Sequence, residues 1–294
     1  MTRKKLDVVA VGHALIDIRM LVDRFPGPDE EAEIIKETRG SGGSAVNVSI
    51  DVARLGGKSG IIAKIGFDNF GRIIYEELWK EKVDIRGLRI SPDKKTGFSI
   101  VTIDSRGNLA LYSLKGAAEH LEPGELDTEV ISEARILHIA SLRIDTSIRA
   151  ATIAKENDTI VSWDPGRRLA SLGIERVKPL LEKTDIVLLN MNEAKLLTGK
   201  PPEEAARIIA STGPKYIIVK LGPKGSLLYM AREGKYYRIP PYKPEKVVDT
   251  TGAGDAYAAG TLLKLARGTQ IGEAAEYGSL IASRKIANLG AHSL

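Results

Sequence analysis

Short apolar runs of strand length alternate along this chain with amphipathic stretches of helix length, and that order limits what it can fold into. Residues 6–12, 60–65, 136–140, 159–163, 185–190 and 216–220 read as buried strands. Helical patterns fall near 44–55, 70–79, 146–156, 173–183 and 203–211, and two more close the chain at about 254–267 and 270–288. A repeating β-then-α order predicts an α/β three-layer sandwich, a mostly parallel central sheet with helices on both faces. Two regions break the rhythm. Residues 31–40 and 96–116 carry strand-like runs without an intervening helix, and Ser105-Arg106-Gly107-Asn108 separates two of them as a hairpin turn would. These regions are assigned to a small β-sheet inserted within one domain spanning 1–294, with ordinary edge hairpins as the plainer reading.

Composition removes several classes of function. No cysteine is present among 294 residues, so disulfides, thiolate catalysis and cysteine-ligated metals are excluded. The longest uncharged run, 40–50, is glycine-rich and far shorter than the roughly 18 apolar residues of a membrane span. The basic N-terminus meets Asp7 before any hydrophobic stretch, unlike a secretory signal. A soluble cytoplasmic protein is expected. The net charge of +5 is spread thinly, with no basic block, so neither nucleic acid nor membrane is an expected partner. The scarcity of glutamine and the wealth of Lys, Glu and Arg give a thermophilic bias.

Five segments could carry chemistry. In Asp249-Thr250-Thr251-Gly252-Ala253-Gly254-Asp255 a glycine turn opens a helix, whose first amides and positive dipole end suit a phosphate. Asp255 is placed to take a proton from a hydroxyl beside that anion, or else merely to cap the helix. Gly42-Gly43-Ser44-Ala45-Val46-Asn47 is a second glycine turn into a helix, but it lacks the P-loop lysine and the dinucleotide fingerprint. Its Asn47 offers a donor and an acceptor to sugar hydroxyls. Asp17 lies just past the first strand, where open α/β sheets bind ligands. Asn190 and Glu193 follow another strand and present oxygen ligands suited to hydrated Mg²⁺, or a helix cap. Lys220, Gly222 and Gly225 end the next strand, as a nucleotide-bordering turn or a plain hairpin. The four histidines show no metal-ligand spacing, and His138 reads as a core residue.

In combination these motifs resemble the PfkB family of carbohydrate kinases, the ribokinase-like group, over about residues 6–292. Gly42-Gly43-Ser44-Ala45-Val46-Asn47 with Ala53-Arg54-Leu55-Gly56 is similar to the family's N-terminal signature, and Asp249–Asp255 to its C-terminal one. The resemblance implies a small β-lid over the acceptor and direct transfer of the γ-phosphoryl of Mg·ATP to an alcohol. It implies Asp255 as catalytic base, with Gly252, Ala253 and Gly254 as the anion hole. Asp17, Gly42, Gly43 and Asn47 would hold acceptor hydroxyls. Asn190, Lys220, Gly222, Gly225, Gly252 and Gly254 would border the nucleotide. Glu193 and Asn190 would serve Mg²⁺ through water. Asp249 and Thr251 fit a monovalent-cation (K⁺) site, closed by the segment near 290–293.

The acceptor is less constrained. Val161–Arg168 and the Gly116-Ala117-Ala118 step resemble archaeal nucleoside kinases of the family and lean the reading toward a ribose-type ring, free or as a nucleoside. Phe98, with Ile100 and Leu111, would wall a base, and Asp164 and Arg167 would reach the acceptor. An anionic sugar (a sugar acid or sugar phosphate, with ADP as an alternative donor) and a non-catalytic sugar- or nucleotide-binding regulator are the competing readings. A homodimer through the lid strands is expected from their exposed edges.

Overall fold

The computed structural model describes residues 4–244 and 246–287. Nine strands form the main sheet: β1 (Leu6–Gly12), β4 (Ser59–Gly66), β5 (Asp84–Ser91), β8 (Ala134–Ala140), β9 (Ile160–Asp164), β10 (Ile186–Asn190), β11 (Tyr216–Lys220), β12 (Ser226–Met230) and β13 (Lys235–Ile239). Their order is β13-β12-β11-β10-β9-β8-β1-β4-β5. Pairing is parallel from β5 to β11, while β12 runs antiparallel to both β11 and β13. Four further strands, β2 (Leu15–Val22), β3 (Ile34–Gly42), β6 (Thr96–Ile103) and β7 (Leu109–Gly116), form a separate sheet in the order β3-β2-β6-β7.

Helices cover both faces of the main sheet because β1 is apolar on both. Val9 and Val11 enter one core with α3 (Thr128–Glu133), α4 (Ile144–Glu156), α5 (Gly166–Ala170), α6 (Ile174–Leu181), α7 (Met191–Thr198) and α8 (Pro202–Ala210). Val8 and Ala10 enter the other, with α1 (Ser44–Arg54), α2 (Asn69–Lys80), α9 (Ala253–Ala266) and α10 (Ile271–Ile286). Strands buried on both faces read as continuous apolar runs, which is the pattern of residues 6–12. Among the described residues no helix is long and apolar enough to cross a membrane.

The small sheet gains a strand that the sequence reading passed over. Residues 15–22, of which the sequence places only Asp17, just past the first strand, pair with β3 on one side and β6 on the other. In-register pairing of Asp17 with Ser99 and of Arg19 with Val101 puts these four side chains on one face. Ile16, Ile18, Phe98 and Ile100 lie on the other, in the core shared with Phe70 of α2. Phe98 meets the Phe70 ring edge-on at 6.1 Å.

His138 is a core residue, as read from the sequence. Its Nδ1 lies 3.1 Å from Ser162 Oγ, and burial drives its pKa down to about 4. The unfolded chain takes up this proton near the ordinary 6.5, so the group favours unfolding increasingly as pH falls from about 6.5 to about 4. At ~1.4 kcal/mol per unit, the stability lost is about 3 kcal/mol. Denaturation of His138→Leu across this window is expected to show a correspondingly flatter acid slope, whatever its offset at neutral pH.

Candidate active site

The carboxyl ends of β1, β9, β10 and β11 open toward the N-termini of α1 and α9, at the edge of the small sheet. Gly252 turns the chain into α9 with φ 75° and ψ 1°, a left-handed conformation that glycine adopts without a Cβ penalty. No side chain caps this helix. Its first amides therefore lack intrahelical acceptors and point, with the positive dipole end, at whatever occupies the turn.

Asp255 stands in the first turn of α9, and α1 holds it from across the cleft. Asn47 Nδ2 donates to Asp255 Oδ2 at 2.7 Å. Burial raises the carboxyl's pKa, and the bond from Asn47 partly offsets that. Asn47 Oδ1 is buried without a hydrogen-bond partner among the described residues, which leaves an acceptor for a hydroxyl. Asp17 reaches over Gly42, where a Cβ would sit 2.3 Å from its Oδ2, so only glycine allows this approach. Asp17 Oδ1 accepts from Ser99 Oγ. Ser99 is absent from the sequence reading, although its placement beside Asp17 follows once β2 and β6 are paired.

Lys220 brings a cation to the same helix start. Its Nζ lies 2.8 Å from Asp164 Oδ2 and 3.2 Å from where a Cβ of Gly254 would stand. Desolvation opposes the charge, but Asp164 and Glu193 outweigh it and raise the lysine's pKa, so the ammonium is retained. Asp164 is occupied by this bond and by the amide of Gly166 at 3.1 Å, an arrangement that serves Lys220 rather than an acceptor. Arg167 is exposed beside it.

Asn190 and Glu193 form a reciprocal capping box at α7. Glu193 Oε2 accepts from the Asn190 amide at 2.8 Å, and Asn190 Oδ1 from the Glu193 amide at 2.9 Å. Burial first, then Asp164, pushes Glu193 up to about 7, against the pull of Lys220. Among the described residues no group of three or more His, Asp or Glu could hold a metal. The donors present fit Mg²⁺ that arrives with phosphate oxygens and waters, touching Glu193 and Asn190 through water. Asp249 Oδ1 accepts from the Thr251 amide at 2.9 Å, and residues 290–293, assigned to close a cation loop here, lie outside the described residues.

A cavity of about 530 Å³ adjoins the turn. Asn190, Lys220, Gly222, Gly225 and Gly254 edge it, while Tyr242, Val247, Tyr257, Ala282 and Ile286 give it apolar walls. Its volume is that of a small-molecule site. Phe98 is not brought to this cleft, because strand parity turns it toward α2, and Ile100 goes with it.

The pfkB family carbohydrate kinase profile matches residues 5–294. The chain belongs to the PfkB family of carbohydrate kinases. It is similar to an ATP-dependent ribose-1-phosphate kinase of Halopiger xanaduensis, with 32% identity over 95% of this chain and 92% of the relative. It also resembles a nucleoside kinase of Methanothermobacter thermautotrophicus, 28% identical over 94% and 88% of the two chains. The structure of Arabidopsis thaliana ribokinase complexed with ribose and ATP superposes with a TM-score of 0.86 at 26% identity, covering 97% of this chain and 94% of that one. The fold is therefore ribokinase-like, and this PfkB protein is a phosphotransferase acting on hydroxyl groups of a sugar or nucleoside with ATP as donor.

Proposed function

We propose that Asp255 is the general base of this kinase and that the start of α9 is its phosphoryl site. The observation that carries the assignment is the Asn47–Asp255 bond, which joins the glycine turn opening α1 to the turn opening α9. A hydroxyl held by Asp17 and Asn47 would lie beside the Asp255 carboxylate. As its oxygen attacks the γ-phosphorus, Asp255 takes its proton and the bond to the β-phosphate oxygen breaks, releasing ADP. Amides of the Gly252-Ala253-Gly254 turn and the Lys220 ammonium meet the charge on the transferred group. Mg²⁺, when bound, neutralises donor phosphate charge, with Glu193 and Asn190 positioned for its waters. Asp249 and Thr251 support a monovalent ion, K⁺, beside the same turn.

The acceptor that fits Asp17, Ser99 and Asn47 is a polyol, such as a ribose-type ring. A cytoplasmic location suits a kinase that draws on ATP. Tyr112 and Leu114 are exposed on the outer face of edge strand β7, and Leu109 and Leu111 on its other face, which supports a lid-to-lid homodimer. Sedimentation checks that assembly: a monomer at micromolar concentration overturns it. The kinase assignment is tested by acceptor-dependent ADP release with Mg·ATP over neutral sugars, nucleosides, sugar acids and sugar phosphates. Release with one class, cut by about 10²–10⁴ in Asp255→Asn, is expected; no release with any class overturns it.

A further inference from the structure

The sheet face that bears Asp17 also carries two cations, Arg19 and Lys115. Arg19 follows Asp17 by two residues and so shares its face of β2. Its side chain is only 15% exposed. Its Nε and Nη2 are buried, and neither has a hydrogen-bond partner among the described residues. Two carboxylates stand within ion-pair reach but beyond hydrogen-bonding range, Asp17 Oδ2 at 3.7 Å from Nη2 and Asp249 Oδ2 at 3.9 Å from Nε. Lys115 joins the same face, since β7 pairs with β6 in a register that sets it opposite Gly97, the partner of Leu15. Burial lowers the Lys115 pKa, and the charges that raise it again are Glu119 and Asp17. Glu119 itself is already engaged, by Arg168 at 2.6 Å and by His13 Nε2 at 3.3 Å.

Leaving two donors of a guanidinium buried and unpaired is costly. A structural arginine would close on its carboxylates, as Arg54 does on Glu81 at 2.7 Å. We infer that Arg19, with Lys115 beside it, recognises an anionic group on the acceptor, so that the preferred substrate is a sugar bearing a phosphate or a carboxylate. The inference rests on the acceptor site being where the proposed function places it. Guanidinium donors pair with the planar or tetrahedral oxygens of either group, and the ion pair forms away from water beneath the lid. Asp17 then serves hydroxyls while Arg19 serves the anion, which fixes the ring's direction. A neutral sugar or nucleoside would leave Arg19 with only its two long ion pairs, to Asp17 and Asp249.

The test separates this from the kinase assignment by reading binding without turnover. Calorimetry on the full chain carrying Asp255→Asn compares ribose with ribose 1-phosphate and ribose 5-phosphate, and a neutral deoxyhexose with 2-keto-3-deoxygluconate. At least one anionic sugar is expected to bind about 10- to 100-fold more tightly than its neutral counterpart, the range of a charge-assisted pair. Which one wins distinguishes phosphate from carboxylate. Adding Arg19→Met is expected to collapse that ratio toward one, and Arg19→Lys to restore part of it. Equal affinity for neutral and anionic partners overturns the inference, as does a ratio that survives Arg19→Met. A uniform loss of binding for every sugar also overturns it, because it would show Arg19 to be a latch between the lid and Asp249. Steady-state kinetics with Mg·ATP on the unsubstituted enzyme reports separately on the kinase.

Discussion

Replacing Asp255 by asparagine is expected to lower kcat by about 10²–10⁴, the usual cost of losing a general base, while ATP affinity stays close to that of the parent enzyme. The cavity proposed for the nucleotide is walled by side chains other than residue 255, which explains the split. Asparagine preserves the shape of the side chain and removes the basic oxygen. A capping role predicts something different. The cap position of α9 is Gly252, no side chain caps the helix, and Asp255 bonds across the cleft to Asn47 instead. Its loss should therefore appear in turnover rather than in melting temperature. Burial raises the carboxyl above the ordinary carboxylate value. The base is active when ionised, so kcat/KM rises with pH through this raised pKa, and its acid limb lies above that of an exposed aspartate. Near-parental kcat in the variant would remove Asp255 from the mechanism.

Much of this site is legible in the chain because glycine turns are local. The segments 42–47 and 249–255 announce themselves by composition, and the helices they open lie where the apolar pattern puts them. The pairing between them is not local. Nothing in either segment says that Asn47 Nδ2 reaches Asp255, since that bond depends on how α1 and α9 pack. Lys220 and Asp164 show the same limit from another side. Each ends a strand, but β9 and β11 flank β10, and only that order puts an ammonium on a carboxylate and beside Gly254. Two differences had a signal in the sequence. Ile16-Asp17-Ile18-Arg19-Met20 alternates with period two, the mark of a half-buried strand, and that alternation is the signal for both β2 and Arg19. The same parity places Phe98 and Ser99 on opposite faces, so a cleft containing Ser99 faces away from Phe98.

A second large effect is expected one turn along α1 from Asn47, at Lys285 and Asp51. Both side chains are fully buried, on α10 and α1, and Nζ reaches the two carboxylate oxygens at 2.8 and 3.1 Å. Burial raises the Asp51 carboxyl, and the ammonium beside it pulls it back down. Removing one partner leaves the other ion without compensation in a site closed to water. Lys285→Met or Asp51→Leu alone should each cost about 3–5 kcal/mol of unfolding free energy. Taken together, the two changes replace an ion pair by apolar side chains, and such exchanges range from neutral to stabilising. The double variant should then be more stable than either single one, with a coupling of several kcal/mol in a denaturation cycle. The sign of that coupling is the discriminating quantity. Additive losses would mean that each side chain is held by its own packing. Recovery in the double variant would mean that each ion is held by its partner's charge, and that the single losses are the cost of leaving one ion buried alone.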